Sequence, residues 1–266
     1  MSRDKLEVLE VFPAFQGEGI RIGSASIFVR FVGCPLHCVW CDTKYARDQV
    51  LLGHEKVALL TPARLADLVL SYPNHLDVVL TGGEPLLQDH HLLEELATRL
   101  CRRVSVETSG SIVPDPDLLA HINLWSFSPK LSSSGNWKEE GKRDHYWNNV
   151  VKGVERTYDG YLNCEVQLKF VVDTQNDIAD MLLLCNRIRS TIDHSFAFPP
   201  LIVQPVGPNS TIVGDQESVH RTNLREYASS LRWLEENVRE HILPTFPFCR
   251  VLPQLHKIIH GQMRLK

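Results

Sequence analysis

Residues 6–12, Leu-Glu-Val-Leu-Glu-Val-Phe, alternate apolar and acidic side chains with the period of a half-buried strand, and Pro13 reads as the turn that ends it. Residues 25–32 are β-branched and aromatic almost throughout, which predicts a buried strand. Thr61-Pro62 offers an N-cap followed by a proline at the first helical position, and Leu65, Leu68, Val69 and Tyr72 share one helical face. The alternation then repeats. A strand at 76–81 runs into Gly82-Gly83; a helix carrying Leu92, Leu93, Leu96 and Leu100 leads to a strand at 103–108; a weak helix at 117–122 leads to a strand at 124–128. Residues 131–160 break this rhythm with serines, glycines and charges among Trp137, Tyr146 and Trp147, and read as an insertion or lid. A strand at 165–172, a helix with Ile178, Met181, Leu182, Cys185 and Ile188 on one face, and a strand at 201–205 follow. After a turn-rich loop at 208–215 come a helix with Tyr227, Leu231, Leu234, Val238 and Ile242 on its stripe, and a last apolar run at 248–252.

Strands separated by helices or long crossovers argue for a parallel sheet, because a parallel return needs such a connection. The fold expected is α/β: a partial (β/α) barrel of about six mostly parallel strands, one domain spanning 1–266. The unusual polar and glycine residues all follow strand ends, which places them on one rim, where barrel active sites lie.

Composition narrows the function. A chain of 266 residues with a formal charge of -4 exerts no global pull on nucleic acid or an anionic membrane, so small-molecule chemistry is favoured. No signal-peptide core or spanning run is visible, which suggests a cytoplasmic protein. Cys101, Cys164, Cys185 and Cys249 fall singly in apolar segments and read as buried thiols of a reducing compartment.

The remaining three of the seven cysteines, Cys34, Cys38 and Cys41, form one C-x3-C-x2-C loop. Three thiolates can hold three irons of a 4Fe-4S cube, leaving the fourth for a substrate or cofactor to coordinate. A closed Cys3His zinc site with His37 is the competing reading, although His37 adjoins Cys38 and structural zinc usually draws two ligand pairs from separate turns. Upstream, Phe15-Gln16-Gly17-Glu18-Gly19 combines close backbone approach with polar groups able to pair with a heterocycle. Arg30, inside an apolar strand, either meets an internal acid or points into a cavity to bind a carboxylate; composition leaves both open.

The three-cysteine loop resembles that of the radical S-adenosylmethionine (SAM) superfamily. Together with QGEG, Arg30, CPLHCVWCDT, TGGEP, ETSG, SPK, QP and PQLHK, it resembles the 7-carboxy-7-deazaguanine synthase family, radical SAM lyases that make a queuosine precursor for tRNA modification. The likeness spans nearly the whole chain except 131–160. It implies that Cys34, Cys38 and Cys41 hold the cluster, and that Trp40, Cys41, Asp42, Gly83, Ser128, Pro129, Lys130, Gln204, Pro205, Val206 and Gly207 surround SAM. By the same likeness Thr43 contacts Mg2+. Phe15, Gln16, Gly17, Arg30 and Thr81 bind 6-carboxytetrahydropterin, with Glu18, Glu84, Glu107, Ser109 and His256 as further neighbours. No separate protein catalytic residue is implied. The implied partners are the pterin, an electron donor such as flavodoxin or ferredoxin, and a second copy in a homodimer. A glycyl-radical activating enzyme shares the cysteine spacing but requires neither an internal Arg nor a QLHK tail; a zinc-bearing module without catalysis is the other alternative.

Overall fold

The computed structural model describes residues 4–47, 53, 55–139, 141–160, 164–193, 196–207 and 224–260. Among them, nine strands form one sheet in the order β3-β1-β2-β4-β5-β6-β7-β8-β9. These are β1 (Leu6–Phe15), β2 (Ala25–Phe31), β3 (Ala58–Leu60), β4 (Asp77–Gly82), β5 (Val104–Thr108), β6 (Leu124–Phe127), β7 (Glu165–Val172), β8 (Leu201–Pro205) and β9 (Cys249–Val251). From β2 through β9 every pairing across the sheet is parallel, and β1 runs antiparallel to both β2 and β3. The sheet is open, with edges at β3 and β9. Nine strands exceed the about six expected, and β3 falls where the sequence pattern predicts no strand.

Pro13 does not end β1. It pairs in register with Ile27 of β2, while β3 pairs only with Leu6 to Val8, so at Pro13 the other side of β1 has no partner strand to miss an N–H.

Helices α1 (Lys44–Arg47), α2 (Pro62–Leu70), α3 (His90–Leu100), α4 (Pro116–Leu119), α5 (Lys142–Gly160), α6 (Gln175–Thr191), α7 (Leu224–Asn237) and α8 (Leu255–His260) connect or flank the strands. Thr61 caps α2 by accepting from the Arg64 N–H at 3.3 Å, as its sequence suggests. Leu68, placed on the buried face, is exposed, and Ala66 packs inward instead. The loop expected at 208–215 lies outside the described residues. Cys101, expected in the core, is an exposed left-handed residue that ends α3, whereas Cys185 is fully buried.

The second half of the segment read as a lid is the crossover helix α5. It returns the chain from β6 to β7, and it buries Tyr146, Trp147, Val150 and Val154. Burying a tryptophan of roughly 200 Å² at about 25 cal/mol per Å² contributes on the order of 5 kcal/mol before entropy is subtracted. Trp147, at 0% exposure, could not leave with an opening lid without losing it.

Candidate active site

The period-2 alternation of the parallel strands divides labour between two faces. Ile27, Val29 and Phe31 of β2, Val78 and Leu80 of β4, Val104 and Val106 of β5, and Leu168, Phe170 and Val172 of β7 pack in the hydrophobic core. The intervening positions Arg30, Thr81, Glu107 and Lys169 face a cavity of about 390 Å³ on the opposite side. Its rim is built from the segments that follow the C-terminal ends of β2, β4, β5 and β6, in addition to the β1 end and the 254–257 tail.

The three-cysteine loop leaves β2 and is held from below. Gly83 lies so close that a Cβ there would fall 1.9 Å from the Gly33 carbonyl oxygen, so this crossing admits only glycine. The next residue, Glu84, donates its N–H to the same carbonyl at 2.7 Å. Its fully buried carboxylate accepts from the Thr108 hydroxyl at 2.7 Å and the Ser109 N–H at 2.8 Å. Glu84 thus ties the β2, β4 and β5 loops together beneath the cavity rather than lining it. Tyr146 joins the next pair of loops, donating to the Ser109 carbonyl at 2.6 Å and accepting from the Lys130 N–H at 2.8 Å.

Cys34, Cys38 and Cys41 all line the cavity, as does Lys130, whose ammonium stands 5.5 Å from the Trp40 ring centroid. Burial pushes the Cys34 thiol up to about 12 and raises that of Cys38; Lys130 pulls both the other way. Ligation requires the thiolate, which burial disfavours and the Lys130 ammonium favours. His37, the fourth ligand of a closed zinc site, is exposed and outside the cavity lining. At the end of β8, both amide atoms of the fully buried Gln204 lack a hydrogen-bond partner among the described residues. Three cysteines on one wall, a nearby ammonium and a cavity of ligand size fit a 4Fe-4S cluster with SAM.

On the cavity wall Arg30 donates from Nε to Glu10 at 2.6 Å and lies over the rings of Phe12 and Tyr45, at 5.6 and 5.8 Å. Arg30 therefore meets an internal acid and also faces the cavity. Glu107 accepts from Gln16 Nε2 and Thr81 Oγ1, each at 3.0 Å. Glu18 pairs with the buried Lys169 and accepts from Gln254. Burial alone would raise the Glu18 carboxyl, but the Lys169 ammonium, with His256 and Gln254, brings it down to about 2. Asp42 stands 3.7 Å from His256 Nε2; desolvation opposes its charge, and His256, Lys257 and Arg30 outweigh that and hold it well below the usual carboxylate range.

A sequence profile of the radical SAM superfamily matches residues 28–182. The chain is 35% identical to the 7-carboxy-7-deazaguanine synthase of Halobacterium salinarum over 76% of its own length and 77% of that protein. The chain belongs to the 7-carboxy-7-deazaguanine synthase family of radical SAM proteins. The synthase of Bacillus cereus is 27% identical over 98% of both chains. The Pyrobaculum aerophilum synthase is 43% identical over 136 residues, which span 49% of this chain and 58% of that one. In fold, the chain is similar to the crystal structure of QueE from Escherichia coli, with a TM-score of 0.58 at 22% identity over 95% of each chain.

Of the residues that the family resemblance singled out, Phe15, Gln16, Gly17, Glu18, Arg30, Trp40, Asp42, Thr43, Thr81, Gly83, Glu107, Ser109, Ser128, Lys130, Val206 and His256 line this one cavity with the three cysteines. Glu84, Pro129, Gln204, Pro205 and Gly207 do not line it. Glu84 spends its carboxylate on the loops, and Gly207 makes room for the Lys257 side chain, whose Nζ lies 2.8 Å from where a Cβ would sit. Lys169, Gln254, Lys257 and Tyr45 line the cavity but were not singled out. Lys169 carries the signal that marked Arg30, a cation within an apolar strand, and Gln254 and Lys257 lie within the quoted PQLHK tail.

Proposed function

We propose that the chain converts 6-carboxy-5,6,7,8-tetrahydropterin to 7-carboxy-7-deazaguanine with loss of ammonia. The observation that carries this reading is one cavity in which the three-cysteine loop and a cation suited to a carboxylate share the walls.

Cys34, Cys38 and Cys41 would hold the 4Fe-4S cluster, with Trp40, Asp42, Ser128 and Lys130 about SAM. When bound, the reduced cluster and SAM supply an adenosyl radical that takes a hydrogen atom from substrate. The protein's task is to fix the substrate C–H against that radical and to exclude other hydrogen donors. Arg30 would receive the pterin carboxylate. Glu107, already oriented by Gln16 and Thr81, would accept N–H bonds from the amino-pyrimidinone edge. Carboxylate and heterocycle held at opposite ends leave the ring little freedom to rotate. Thr43, whose Oγ1 lies 3.6 Å from Cys41 Sγ, would offer an oxygen to Mg2+ beside the substrate. Glu18 and Lys169 compensate each other and close the floor without adding net charge.

Anaerobic incubation with reductant, SAM and the carboxypterin, followed by mass spectrometry, is expected to give a SAM-dependent product with ammonia lost. SAM cleavage with the carboxypterin unconsumed would overturn this substrate.

We further propose a homodimer, an exogenous one-electron donor such as flavodoxin or ferredoxin, and a cytoplasmic setting. Among the described residues no helix is long and apolar enough to cross a membrane. Strand β3 is an edge that exposes Leu59, and Phe248 stands exposed beside the other edge at β9, so covering an edge is a physical motive for association. Light scattering at micromolar concentration is expected to give the mass of two chains; a single-chain mass would remove this assembly.

A further inference from the structure

Residues 131–136 match none of the motifs quoted above, yet they brace the three-cysteine loop. The Val39 N–H donates to the Ser134 carbonyl at 3.0 Å, and Trp40 Nε1 donates to Ser133 Oγ at 3.3 Å. Gly135, at φ +76°, lets this backbone pass Val39, whose Cγ1 lies 2.8 Å from where a Cβ would sit. The brace is itself anchored: the Ser133 N–H donates to Asp177 at 2.9 Å and the Ser132 N–H to Asp180 at 2.9 Å, both on the first turns of α6.

Asn136 completes the contact. The backbone N–H of His37 points at Asn136 Oδ1 at 2.6 Å, and a backbone N–H can only donate. That fixes the amide orientation, so the Nδ2 end faces Cys38 Sγ at 3.2 Å, with Ser134 Oγ 3.1 Å away as its second acceptor. Cys38 is the most buried of the three cysteines at 7% exposure. An N–H aimed at a ligating sulfur favours the cluster state with more negative charge, and hydrogen bonds to the sulfurs are among the determinants of cluster potential.

We infer that Asn136 raises the reduction potential of the cluster by donating an N–H to the Cys38 sulfur. This makes it a positioning residue that acts through Cys38, and the inference rests on the cluster reading proposed above.

The test is an EPR-monitored redox titration of anaerobically reconstituted protein, comparing wild type with Asn136→Asp and Asn136→Leu, with iron and sulfide measured on each sample. Asn136→Asp keeps an acceptor for His37 but loses the donor; Asn136→Leu loses both without adding charge. Each is expected to lower the reduced-to-oxidised ratio at fixed potential about tenfold, which is about 59 mV for one electron. Full cluster content with an unchanged potential in Asn136→Leu would overturn the inference. Should both variants lose the cluster, pulsed EPR on reduced wild type carrying 15N-asparagine decides. A 15N coupling absent from the 14N protein supports the contact, and no coupling removes it. A wild type that binds no cluster removes the cluster reading and this inference with it, whereas a normal cluster with an unmoved potential removes the inference alone.

Discussion

Replacing any one of Cys34, Cys38 or Cys41 with alanine is expected to abolish the visible absorption of the cluster and all SAM cleavage. In the proposed ligand set each thiolate would hold a different iron, and among the described residues no further cysteine lines the cavity to take over its place. The loop has little freedom to adapt. Gly83 crosses beneath it without room for a methyl group, the Gly33 N–H donates to the Ala46 carbonyl at 2.8 Å, and residues 133–136 brace it from the side. Cys101→Ala and Cys185→Ala serve as controls of two kinds. Cys101 is exposed and its loss should change little. Cys185 is fully buried on the core face of α6, so its loss should cost about 1 kcal/mol of stability while cluster content stays at the wild-type level. The measurements are iron and sulfide per chain, absorbance, and 5′-deoxyadenosine release under reductant. A full cluster in any of the first three variants would sink the proposed ligand set.

The parallel strands were legible because strands covered on one face by helices need apolar residues at alternate positions, and their glycine-rich ends interrupt the pattern where ligands bind. What the pattern could not show was how a polar residue on the inward face would be used. Arg30 and Lys169 look alike in sequence, each a cation among β-branched and aromatic neighbours. Only the partners separate them: Lys169 is matched to Glu18, whereas Arg30 shares Glu10 with Tyr45 and keeps a cavity wall. Strand β3 was missed because three residues with two exposed side chains make no periodic signal. The crossover helix α5 was missed because its polar face dominates its composition, while Tyr146, Trp147, Val150 and Val154 carry its core contact at helical spacing. Asn136 acts through a bond across 98 residues of sequence, and no local pattern announces such a partner.

Arg30→Lys is expected to lower kcat/KM for the carboxypterin roughly 30- to 1000-fold, about 2–4 kcal/mol, with cluster content and SAM binding unchanged. What decides the outcome is which edge of the guanidinium is already engaged. Glu10 takes Nε at 2.6 Å and also accepts from the Tyr45 hydroxyl at 3.1 Å, so the planar group is held at one edge between the Phe12 and Tyr45 rings. The two terminal amino groups are the pair that can meet both oxygens of a carboxylate. A lysine ammonium is a single point charge on a flexible stem; it can neutralise Glu10 or approach the substrate, but it cannot present a two-point planar contact. Were Arg30 only the partner of Glu10, any loss of turnover would follow a loss of stability and cluster content. Glu10→Gln gives the complementary test: the guanidinium keeps its charge but loses its charged anchor, so KM should rise while the melting temperature moves little, since both side chains are only 14% exposed yet remain able to hydrogen-bond. Carboxypterin turnover, melting temperature and iron content measured on the same preparations separate the outcomes. A large loss of turnover at constant cluster content supports the carboxylate contact, whereas parallel loss of stability and cluster would return Arg30 to a structural role.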